Sequence, residues 1–135
     1  MKKFMYEKRR DQVEIVTDLQ ALNMDLRDKA LVVYGTVNGN LFLSRYYLGI
    51  PVHIEPSRIV ADQAYTGSNL KFITAWPHPR NPESGMVIYT AQRAADIPGI
   101  NNVFHGPTDY IIFVNRETVL KSGYYRKEGG HWFLD

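Results

Sequence analysis

The sequence contains no cysteine. That absence excludes disulfides, zinc–thiolate sites and a cysteine nucleophile, and it leaves the redox compartment open. No apolar stretch approaches the ~18 residues that a membrane-spanning helix needs. The opening Met1-Lys2-Lys3-Phe4-Met5-Tyr6-Glu7-Lys8 lacks the apolar h-region of a secretory signal. With Met1 taken as the native start, the chain is expected in the cytoplasm and not in a membrane. Charge of one sign is scarce: 16 Lys and Arg face 14 Asp and Glu, for a net charge of +2. The local excess of Lys2, Lys3, Lys8, Arg9 and Arg10 reads as a solvated terminal segment, residues 1–12. No basic stripe continues beyond it, so nucleic acid is not the expected partner.

Catalytic signatures are scarce as well. Ser44, Ser57, Ser68, Ser84 and Ser122 show no Gly-x-Ser-x-Gly elbow, and Ser84-Gly85 precedes an apolar run where an elbow would have to follow one. His53, His78, His105 and His131 lie at no helical i, i+4 spacing and have no paired carboxylates, so no metal site is expected. Asp96 and Asp109 read as caps or turn residues. The chain is expected to carry no complete catalytic set, no metal and no cofactor.

What is present fits one domain over residues 13–135. A chain of 135 residues, 44% hydrophobic and 22% charged, is long enough to bury a core unaided. Val13–Val16 suggests a short strand. Thr17 and Gln20 form a capping-box pattern, and Leu19, Leu22 and Leu26 continue as a helical stripe to about Asp28. Leu31-Val32-Val33-Tyr34 is a continuous apolar run, as in a strand buried on both faces. After the polar loop 36–40, Leu41–Leu48 reads as a helix closed by Gly49. Val52–Ile54 and Arg58–Ala61 about Pro56-Ser57 read as a hairpin, and Tyr65–Asn69 as a loop. Leu70–Trp76, Met86–Thr90 and Tyr110–Val114 are further core strands. A short helix is expected within Ala91–Val103, and a terminal hairpin about Gly129-Gly130.

Apolar strands separated by helical or loop crossovers predict an α/β fold: a three-layer, Rossmann-like or flavodoxin-like, mainly parallel sheet with antiparallel hairpin extensions. Right-handed crossovers would gather the strand exits on one rim, where open α/β sheets bind ligands. Three loops would share that rim, 35–40, 77–82 and 90–93, whereas His105–Asp109 would sit nearer the opposite edge. The candidate ligand-binding residues are therefore Thr36, Asn38, Asn40, His78, Arg80, Asn81 and Gln92. Thr36, Asn38 and Asn40 precede a helix start, where backbone amides favour anions; the simpler reading is a turn residue and a helix cap. Three prolines in Pro77-His78-Pro79-Arg80-Asn81-Pro82 would hold His78 and Arg80 fixed. The simpler reading of the same segment is a rigid crossover whose Asn81 bonds to backbone. The aromatic pairs Tyr46-Tyr47, Tyr124-Tyr125 and Trp132-Phe133 would each bury one ring and leave the other for a contact surface.

The order of segments resembles an accessory Rossmann-like domain found in bacterial esterase-like and prolyl-oligopeptidase-like proteins of the α/β-hydrolase class. The matching stretches are Val16-Thr17-Asp18, Ala30–Gly35 with Asn40, Ile50-Pro51-Val52, Trp76–Pro82, Met86–Tyr89, Asp109–Ile112, and Gly123-Tyr124-Tyr125 with Trp132. The Pro-x-Pro-x-Asn-Pro pattern is the most specific of these. The sequence departs from the family pattern at His78, where that pattern has Asn, and at Ala91-Gln92, where it has Gly. The resemblance implies a non-catalytic accessory or protein-interaction domain, with a hydrolase domain, another protein or a second copy of the chain as partner. The second reading is a small-molecule-binding or enzymatic flavodoxin-like domain with its site at the rim.

Overall fold

A computed structural model of the chain describes residues 14–100 and 108–135. The charged N-terminal segment, His105 and part of the expected Ala91–Val103 helix lie outside the described residues. The expected three-layer, mainly parallel α/β sheet is not what forms. The described residues build a β-rich fold with two short α-helices, α1 (Asp18–Leu22) and α2 (Leu41–Tyr46). Its centre is a five-stranded sheet of β1 (Leu31–Tyr34), β5 (Lys71–His78), β6 (Asn81–Ala91), β7 (Tyr110–Asn115) and β8 (Thr118–Gly123), in the order β1-β6-β5-β7-β8. Only β1 and β6 run parallel; the other three pairings are antiparallel.

Strand direction is where the sequence reading fails. The stretch from Trp76 to Pro82 is no crossover but the tip of a hairpin, so β6 returns beside β5. The prolines fit there because β7 pairs with β5 only over Lys71–Thr74, and β1 pairs with β6 only over Met86–Tyr89. The hairpin tip thus projects beyond its neighbours as a two-stranded arm. Pro77, opposite Gly85 and beside a register shift, has no ladder bond to supply on that side.

A second, three-stranded antiparallel sheet comprises β2 (His53–Glu55), β3 (Arg58–Val60) and β4 (Ala64–Thr66). Its first two strands match the expected hairpin, and the third replaces an expected loop. The C-terminal hairpin, β9 (Tyr125–Glu128) and β10 (His131–Leu134), turns at Gly129-Gly130, both with positive φ. Glu14–Val16 adopt no regular structure, and the expected 91–103 helix is, within the described residues, one 3-10 turn at Ala94–Asp96.

Helix α1 starts as its sequence dictates. The Thr17 side chain accepts from the Gln20 amide while the Gln20 side chain accepts from the Thr17 amide. It stops after Leu22 because local side chains offer the backbone other partners. Asn23 Nδ2 donates to the Leu19 carbonyl, and Asp25 accepts from the Arg27 amide. Leu19 is consequently 58% exposed, whereas Leu26 reaches the core outside the helix.

The five-stranded sheet is apolar on both sides. Phe72, Met86, Ile88, Tyr110 and Ile112 face one side, against Phe42 and Leu43 of α2, Ile59 of β3 and Val52. Ile73, Tyr89, Ile111 and Phe113 face the other, with Ile97 and Ile100 packed on them. Each fully buried Ile or Phe contributes roughly 1.5–3 kcal/mol. Two-sided burial explains the continuous apolar runs of β5, β6 and β7 without requiring parallel strands, whereas Leu31–Tyr34, expected to be buried on both faces, has Val32 41% exposed. At one margin, β8 is irregular: Leu120 of β8 and Val114 of β7 are left unopposed by two register shifts. At the other, β1 is four residues long, and Asn40 Nδ2 donates to the carbonyl of Tyr34.

Candidate functional site

The seven candidate residues do not share a rim. Because β1 and β6 are parallel, the loop after Tyr34 and the loop after Ala91 leave the sheet at one end, and the Gly35 amide donates to the Tyr89 carbonyl. Because β5 runs the other way, His78, Arg80 and Asn81 lie at the opposite end. The single ligand-binding edge is therefore replaced by two separate clusters.

At the first end the side chains serve the backbone. Thr36 Oγ1 accepts from the Gly39 amide at 2.9 Å, and Asn38 is exposed at the turn. Asn40 caps α2, accepting from the Leu43 amide at 3.0 Å. Gln92 joins the two sheets. Its Oε1 accepts from the Leu70 amide at 2.8 Å, and its Nε2 donates to the carbonyls of Glu55 (2.8 Å) and Gly67 (2.7 Å). Nearby Tyr34 stacks on Tyr89, with ring centroids 4.6 Å apart. The Tyr34 hydroxyl is buried without a hydrogen-bond partner, and burial pushes its pKa up to about 12.

At the second end the hairpin tip grips the segment between α1 and β1. His78 is 1% exposed. Its Nδ1 accepts from the Arg80 amide at 2.9 Å, which leaves Nε2 to donate to the Leu26 carbonyl at 2.7 Å. Asn81 Nδ2 donates to the Arg27 carbonyl at 2.9 Å, and its Oδ1 accepts from the Glu83 amide. Arg80 differs from these residues. It is exposed, and its Nε and Nη2 both donate to the Tyr46 hydroxyl, at 3.2 and 2.9 Å. Arg45, also exposed, lies with its guanidinium carbon 5.6 Å from the centre of the Tyr46 ring; that of Arg80 lies 5.9 Å away. Asp25 makes a two-point bond to Arg27, which holds its carboxyl well below the usual range, with Arg80's charge adding to the effect.

Arg45 was not among the sequence candidates, and Tyr46 figured only in the Tyr46-Tyr47 aromatic pair. The only available signal was an Arg-Tyr pair in the last turn of a short helix, and nothing in the linear pattern places it beside Arg80. Among the described residues no group of three His, Asp or Glu could hold a metal ion; His53 and His131 are exposed on separate hairpins. A cavity of about 140 Å³ lies on the second face of the sheet, lined by Ile73, Ala75, Val87 and Ile111 with Thr108 and Asp109. The remaining rings follow strand alternation. Tyr125 turns inward against Trp76 and Tyr110, its hydroxyl 2.6 Å from Thr74 Oγ1, whereas Tyr124 and Phe133 are 48% and 41% exposed. No family model, curated protein or solved structure matches the chain.

Proposed function

We propose that this chain is a non-catalytic accessory domain that binds a protein partner, a hydrolase being the partner its sequence resemblance implies. One observation carries the reading. The polar side chains best placed to hold a small ligand, His78, Asn40, Asn81 and Gln92, are bonded to the chain's own backbone. Side chains turned to solvent include the kinds that protein contacts use: Arg45, Arg80, Tyr124 and Phe133.

The experiment is co-expression of the tagged chain with the products of its neighbouring genes, hydrolases first, followed by size-exclusion chromatography with light scattering. The expected result is a stoichiometric complex with a hydrolase. A chain that elutes alone in the presence of each candidate, or that itself turns over a panel of esters and peptides, overturns the reading.

A further inference from the structure

We infer that the last turn of α2 and the tip of the β5–β6 hairpin form a docking site for carboxylates on the partner protein; this rests on the accessory reading above. Arg45 and Arg80 are both exposed, both approach Tyr46, and among the described residues neither forms a salt bridge. The acid nearest in effect, Asp25, is already engaged by both nitrogens of its bond to Arg27. Arg45 lies 5.6 Å from the centre of the Tyr46 ring and Arg80 reaches its hydroxyl, and each keeps guanidinium N–H groups that carboxylate oxygens can accept.

The hydroxyl of Tyr46 supports the same assignment. Its oxygen accepts two N–H groups from Arg80, so its own hydrogen is directed away from them and is free to donate. Arg80 is also held in place from beneath. Its amide is bonded to His78 Nδ1, and it stands between Pro79 and the backbone-bonded Asn81. A cation whose backbone is fixed loses less freedom on binding than one on a mobile loop.

The test is a titration of isotope-labelled protein with a polyglutamate peptide, read by NMR at the arginine Nε–H groups. An oligonucleotide of equal charge is run beside it. The expected result is movement of the Arg45 and Arg80 signals and the Tyr46 amide with the peptide. Affinity should fall roughly tenfold in R45Q/R80Q and several-fold in Y46F, with R116Q unchanged. Shifts spread evenly over Arg27, Arg116 and Arg126, or tighter binding of the oligonucleotide, would overturn the assignment. Chromatography of R45Q/R80Q with the hydrolase separates the two claims. If variant and wild type co-elute with it equally, the docking site falls and the accessory reading stands. If neither co-elutes, the accessory reading falls and takes this partner with it.

Discussion

Gln92→Leu is expected to cost roughly 2–4 kcal/mol of folding stability, concentrated where the small sheet meets the large one. The magnitude follows from three bonds of 2.7–2.8 Å made by one side chain. Each hydrogen bond of this kind contributes about 1 kcal/mol net, and a buried group stripped of its partner costs about 1–3 kcal/mol. Leucine would strand the Leu70 amide and the carbonyls of Glu55 and Gly67. The site is only half-buried, so water recovers part of the loss, which keeps the sum below the fully buried limit. Urea denaturation followed by the fluorescence of Trp76 and Trp132 would measure the total. Amide exchange would locate it, with β2–β4 and Leu70 losing protection before β5–β7. Gln92→Glu is a sharper probe, since it keeps the acceptor for Leu70 but turns an oxygen toward two carbonyls; it should cost at least as much as leucine. A leucine variant within about 0.5 kcal/mol of wild type, or protection lost evenly over the chain, would refute the clasp.

Three further outcomes are expected. His78→Ala should destabilise by roughly 2–4 kcal/mol through loss of two buried bonds, and His78→Asn by less, because asparagine keeps a donor and an acceptor; thermal melts of the pair would check this. Gly123→Ala should cost about 1–2 kcal/mol, since its methyl would meet the hydroxyl of buried Tyr110 at 3.1 Å, while Gly85→Ala, with nothing within 4 Å, should be near neutral in the same melts. Tyr34 is raised by burial from 10.0 to about 12, so the stability it lends by staying protonated is complete below about pH 10 and lost as pH rises through 12. Tyr34→Phe should remove one late step from the tyrosinate absorbance titration and flatten alkaline destabilisation; an unchanged titration would refute the assignment.

The strands at Met86–Thr90 and Tyr110–Val114 were legible because apolar runs mark burial, whereas Leu31–Tyr34 is a strand at the sheet edge with Val32 41% exposed and not one buried on both faces. The Thr17–Gln20 box and the Asn40 cap were legible because their chemistry is local. Strand direction was not. It depends on whether Trp76–Pro82 crosses over or folds back, and three prolines are compatible with either. The helical stripe of Leu19, Leu22 and Leu26 misled because periodicity reports spacing, not which backbone bonds win; Asn23 and Asp25 decided that. With the directions reversed, the supposed common rim separated into two ends. His78 and Arg80 were expected to be held by the prolines, and Gln92 to face a ligand; what holds His78, Asn81 and Gln92 is the carbonyl of a residue 52, 54 or 37 positions away, a relation no local pattern contains.

The two margins of the large sheet have a consequence for how anything can approach it. A newcomer strand at β8 would meet a backbone whose spacing slips twice, and at β1 a four-residue lip with one carbonyl already taken by Asn40. Neither side offers a template that another chain could copy in register. The margins of the large sheet are thereby poor sites for strand-by-strand stacking at high concentration.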